Sequence, residues 1–123
     1  MGIVVGGGIS YFNASNMLKN LERDQEDDAG FRVVINALRQ PIAAIVANAG
    51  GDIDDVYSHI SKNELVYDAL TGTYVPYEDG DCKIIDPAMV CVAAIRNAAS
   101  AAGMILLTEC TISDIESKPE IPV

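Results

Sequence analysis

The sequence contains no tryptophan, a single histidine, and only eight basic residues against eighteen acidic ones. A formal charge of −10 repels a phosphate backbone, and the few cations are scattered rather than aligned along one face, which excludes nucleic acid as a partner. Cysteine is also sparse. Cys82, Cys91 and Cys110 form an odd set without CxxC spacing, and His59 cannot complete a zinc site with them. They read as free thiols of a reducing compartment. No basic, apolar leader precedes the first glycines, so no signal peptide is expected. The longest apolar stretch, residues 87–107, carries Arg96, Asn97 and Ser100 in its middle, which argues against a membrane span. A soluble, cytoplasmic protein is the expectation.

Half of the residues are hydrophobic. Ala, Val, Ile and Leu supply most of them, a mixture better suited to packed helices than to a β-sandwich. A chain of 123 residues suffices for one domain that buries roughly two-thirds of its unfolded surface.

Along the chain, Ile3-Val4-Val5 reads as a short strand ending in Gly6-Gly7-Gly8. Tyr11, Ala14, Leu18 and Leu21 then recur at helical spacing. Residues 22–28 are acidic and precede a second helix with Phe31, Val34, Ile35 and Leu38 on one face; their carboxylates suit the positive end of its dipole. Pro41 fits the first turn of a third helix carrying Ile42, Ile45, Val46 and Ala49, closed by Gly50-Gly51. Asp52 caps a fourth helix with Ile53, Val56 and Ile60.

Val66-Tyr67 and Tyr74-Val75 flank a turn-forming stretch and predict a β-hairpin with a loop of more than two residues. Asp86-Pro87 predicts the start of a helix running to about residue 107, roughly 30 Å long, whose several apolar faces suggest a central, buried position. Residues 110–115 read as a strand and residues 116–123 as a tail. The acidic run lacks the glycine and closing glutamate of a calcium loop. No serine or cysteine stands in a recognisable relation to a base, so no catalytic nucleophile is assigned.

Several motifs appear in a fixed order: Gly2-Ile3-Val4-Val5-Gly6-Gly7-Gly8, Glu26-Asp27, Leu38-Arg39-Gln40-Pro41, Asn48-Ala49-Gly50, Tyr67-Asp68-Ala69-Leu70-Thr71-Gly72-Thr73-Tyr74, Ile84-Ile85-Asp86-Pro87, and Asn97-Ala98-Ala99-Ser100-Ala101-Ala102-Gly103 followed by Leu107-Thr108-Glu109-Cys110. In order and spacing this series resembles the last part of a group I chaperonin subunit (the GroEL family), the C-terminal half of its ATP-binding equatorial domain. The resemblance implies a mainly α fold. It would be an equatorial-domain-like array of about five helices, with a long central helix over 87–107, one small hairpin and a C-terminal strand, forming a single partial domain over 1–123.

The resemblance also implies roles. Gly6 and Gly7 would approach the nucleotide, ATP or ADP; glycine lets backbone N–H groups reach a phosphate or ribose. Asp68, Ala69 and Leu70 stand where the family has Asn-Ala-Ala at the adenine, Ile84 would line the base pocket, and Asp86 would accept hydrogen bonds from the ribose. Read from the residues alone, Gly6 to Gly8 are a flexible terminus and Asp86 is a plain helix cap, a role that can coexist with ribose contact. After Pro41 the family commonly has Leu-Arg-Gln where this chain has Ile42-Ala43-Ala44, and a ring-to-ring ion pair would lose its cation. The methionine- and glycine-rich tail of bacterial members is replaced by residues 116–123.

The family's phosphate loop, its Mg²⁺-binding carboxylate and its catalytic carboxylate come from segments upstream of those matched here, so this chain alone is expected to be inactive as an ATPase. Two functions are implied. One is a part of an ATP-dependent chaperonin assisting folding, completed by an N-terminal chaperonin segment. The other is a free-standing structural protein that self-associates through the 110–115 strand and exposed helix faces after losing ATPase activity. An autonomous nucleotide-binding module is a weaker third.

Overall fold

The computed structural model describes residues 2–21, 28–63, 65–77 and 82–113, with the side chains of residues 28, 62 and 63 left aside. In order they form β1 (Ile3–Val5), α1 (Ile9–Lys19), α2 (Asp28–Leu38), α3 (Gln40–Asn48), α4 (Ile53–Asn63), β2 (Leu65–Asp68), β3 (Thr73–Pro76), β4 (Ile85–Pro87) and α5 (Ala88–Leu106). Most of the acidic run and all of the tail lie outside the described residues. The chain divides into two units, Met1–Cys91 and Val92–Val123.

In the first unit, local sequence sets most element boundaries. Gly50, at φ 73°, follows the C-terminus of α3; its N–H donates to Ala47 O at 3.0 Å and the Gly51 N–H to Val46 O at 2.9 Å. This pair of hydrogen bonds is the Schellman arrangement, which glycine permits at no steric cost. Asp52 then caps α4 by accepting from the Asp54 N–H at 2.9 Å.

The core gathers Ile9 and Phe12 of α1, Ile42 and Val46 of α3, Val56 and Ile60 of α4, and Val66 and Tyr67 of β2. The buried face of α1 is not the expected one. Ile9, Phe12 and Ser15 are buried, whereas Tyr11, Ala14 and Leu18 are half-buried and Leu21 is exposed beyond the helix end. Ser15 is fully buried because its hydroxyl is satisfied twice: it donates to Phe12 O at 2.7 Å and accepts from Arg39 Nε at 3.1 Å. Arg39 also donates to Asn16 Oδ1 at 2.9 Å, and its guanidinium lies over Phe12 and Tyr57, 5.4 and 5.8 Å from the ring centroids.

Two small antiparallel ladders replace the one hairpin read from the sequence. β2 pairs with β3 from Leu65↔Pro76 to Asp68↔Thr73, as expected, with a four-residue loop in which Gly72 adopts φ 68°. β1 pairs with β4, Val4 opposite Asp86, a contact across some eighty residues that no local pattern announces. α5 consequently begins at Ala88, and Asp86 takes a ladder position instead of the helix cap expected of it.

The second unit contains α5 from Val92 onward and the segment after it. Among its described residues only Gly103 is even half-buried; Met104, Ile105, Leu106 and Leu107 are 65–86% exposed. The burial expected for this helix is therefore not found. Its alanine content and its length of nineteen residues still favour a helix without packing. By length and composition, with mean hydropathy 1.6, α5 also meets the requirement for crossing a membrane. The strand expected from residue 110 is not formed through Ser113, and residues 114 and 115 lie outside the described set. A segment without a partner has no ladder to join.

Candidate functional site

The glycine turn links β1 to α1. Gly7 and Gly8 adopt φ 65° and 81°, a region side chains disfavour, and the Ile9 N–H closes the turn on Gly6 O at 3.2 Å. Among the described residues the Gly7 and Gly8 N–H groups have no acceptor. Gly8 is buried against the start of α3, while Gly7 is partly open.

The β1–β4 ladder brings the residues before α5 beside this turn. The Gly6 N–H donates to Ile84 O at 2.9 Å. A Cβ on Gly6 would lie 3.1 Å from Asp86 Cγ and Oδ1, and one on Gly7 would lie 3.4 Å from Ile84 Cγ2, 3.8 Å from Val66 Cγ1 and 3.9 Å from Tyr67 O. Gly6, Gly7, Ile84 and Asp86, spread over some eighty residues of sequence, thus meet at one place next to β2. Side chains on the glycines would crowd the Asp86 carboxylate and the Ile84 methyl.

The hairpin trio divides. Ala69 packs against the core cluster that Ile84 also touches. The Asp68 carboxylate closes its own loop, accepting from the Leu70 N–H and the Thr71 hydroxyl, both at 2.9 Å; these bonds, led by that from Leu70, hold it below the usual aspartate range. Leu70 is 97% exposed and is not drawn toward the other candidates.

Tyr11 and Ser10 lie close to the site without having been marked as site residues from the sequence, where Tyr11 counted only as part of the stripe of α1. The Ser10 hydroxyl donates to Val5 O and steadies the strand before the turn. Tyr11 reaches Cys91 O in the first turn of α5 at 3.5 Å. Its phenol is pushed up chiefly by burial, then by Cys91, with a smaller contribution from the Asp86 charge. Their position directly after the glycines is the signal that could have marked them. Among the described residues no group of three or more His, Cys, Asp or Glu side chains is arranged to hold a metal ion.

The family model of the TCP-1/cpn60 chaperonin family matches residues 1–116. A curated relative, Chaperonin GroEL of Carsonella ruddii (strain PV), is 38% identical over 126 aligned positions, which cover 98% of this chain and 23% of the relative. The chain thus spans about a quarter of that relative's length. A match over nearly every residue, glycine turn, hairpin and Asp86 segment included, means that the chain belongs to the TCP-1/cpn60 chaperonin family.

Proposed function

We propose that these residues form the nucleotide-facing part of an ATP-dependent, cytoplasmic chaperonin that assists protein folding. The observation that carries this reading is the meeting of Gly6 and Gly7 with Ile84 and Asp86. The free N–H groups of Gly7 and Gly8 would donate to phosphate or ribose oxygens. Asp86, half-buried beside Gly6, would accept from ribose hydroxyls, and charge-assisted bonds of this kind are stronger than neutral ones. Ile84 and Ala69 would offer the base an apolar wall. Asp68 and Leu70 would contribute less, the first through its turn and the second only by rearrangement. ATP or ADP is the cofactor, and Mg²⁺ would require carboxylates from an N-terminal chaperonin segment. Arg96, Asn97 and Ser100 in the middle of α5 favour a protein partner over a bilayer for that helix.

The test is nucleotide titration followed at the Gly6 and Gly7 amides by NMR, in the chain alone and with an N-terminal chaperonin segment added. Asp86→Ala should weaken ATP about ten-fold or more, the loss expected when a hydrogen bond to a charged group is removed. Unchanged affinity in Asp86→Ala, or no binding in either sample, would overturn the assignment.

A second reading is favoured by the exposed apolar side chains of residues 92–107: a self-assembling structural protein without ATPase activity. With no strand formed over 110–113, helix faces would carry the association. Light scattering with and without Mg-ATP separates the readings, because this one requires a defined oligomer indifferent to nucleotide.

A further inference from the structure

Tyr11 joins the two segments that carry the candidate site. Its hydroxyl donates to the backbone oxygen of Cys91, 80 residues further along the chain, at 3.5 Å. Tyr11 stands in the first turn of α1, just after the glycines, and Cys91 in the first turn of α5, inside the first unit. Asp86 lies between them in space and sequence, on β4 ahead of that turn, with Gly6 beside its carboxylate. Among the described residues no donor is bonded to the Asp86 carboxylate, which is half-buried. Its position is therefore set by the backbone on either side. Before it, the Gly6 N–H donates to Ile84 O at 2.9 Å; after it, the Ala88 N–H donates to Gly2 O at 3.0 Å. The strands so joined are three residues each, and a two-stranded ladder this short is marginal unless other contacts secure it. Among the described residues, Tyr11 supplies the side-chain hydrogen bond between these two segments.

We propose that Tyr11 is a positioning residue for the ribose of a bound nucleotide: it holds the first turn of α5 to α1, and with it the Asp86 carboxylate beside Gly6. The role rests on the nucleotide-facing reading given above. Tyr11 acts through Asp86, so its loss is felt at the ribose hydroxyls and not at the rest of the nucleotide. A phenol has one proton to donate. Directed at Cys91 O, that proton leaves both Asp86 oxygens able to accept from an incoming hydroxyl. Burial first, then Cys91, and to a smaller extent the Asp86 charge push the Tyr11 phenol up, so it stays a neutral donor near neutral pH.

A neutral hydrogen bond is worth about two- to ten-fold in an equilibrium. At 3.5 Å this one is long, which places the expected effect at about two- to five-fold. The test compares ATP with 2′,3′-dideoxy-ATP, which lacks both ribose hydroxyls, on wild type and Tyr11→Phe, each with an N-terminal chaperonin segment added. Wild type should prefer ATP by about ten-fold or more, since the lost bonds are to a charged group. Tyr11→Phe should weaken ATP about two- to five-fold, leave the dideoxy nucleotide unchanged, and so narrow the preference. Without nucleotide, amide hydrogen exchange at Gly6 and Ala88, the donors that bracket Asp86, should quicken in Tyr11→Phe by a similar factor. Equal weakening of both nucleotides would make Tyr11 a merely structural contact and overturn the role, as would unchanged exchange at the two amides. A wild-type preference for ATP that Tyr11→Phe leaves intact overturns the role alone. A wild type that binds neither nucleotide, or does not distinguish them, overturns the nucleotide-facing reading and this role with it.

Discussion

Replacing Gly8 with alanine tests how the glycine turn seats α1 against α3. An added Cβ would stand 2.7 Å from the Ile42 nitrogen and 2.9 Å from its Cα, and these backbone atoms cannot swing aside as a side-chain end could. At φ 81° the new residue is also strained in place, by about 1–2 kcal/mol. Overpacking a tight site adds about 1–3 kcal/mol. The combined loss of about 2–5 kcal/mol is a large part of the ~5–15 kcal/mol that holds a domain together. Gly50→Ala is the control, since Gly50 has φ 73° but no atom within 4 Å, and it should lose only the strain. Urea unfolding followed by far-UV circular dichroism measures both; with a slope of about 2 kcal/mol per molar, Gly8→Ala should lower the midpoint by about 1–2.5 M. If Gly8→Ala costs no more than Gly50→Ala, the close approach of the turn to α3 is wrong.

Two further outcomes follow from the same contacts. Arg39→Lys keeps the charge but not the planar fork that reaches both Ser15 and Asn16, and should cost about 1–3 kcal/mol in the same unfolding assay; a cost within experimental error would show that Ser15 is satisfied without it. Tyr74 has its phenol pushed up to about 12 from 10.0, so the folded state favours the neutral form; stability should hold below pH 10 and fall as pH rises toward 12. Thermal melts over that interval should show the fall in the wild type and a shallower one in Tyr74→Phe.

Much of the local structure was legible in the sequence because its causes are local. Gly50-Gly51 could end α3, Asp52 could cap α4, and the alternation around Asp68 to Thr73 could form a hairpin, each through bonds spanning a few residues. Family resemblance marked Gly6, Gly7, Ile84 and Asp86, yet their convergence follows from the β1–β4 ladder, which spacing along the chain does not encode. The same ladder moved Asp86 off the helix cap.

The sequence by itself determined the helix-rich class, the four helices before the β2–β3 hairpin, and the turns at Gly50-Gly51 and Asp52, since propensity, capping and glycine conformation act over one or two turns of chain. Only the tertiary structure decided which face of α1 is buried, because burying Ser15 required Arg39 from the α2–α3 junction. It also decided the exposure of α5: an apolar pattern records a helix's capacity for burial, and burial itself requires a second surface to pack against.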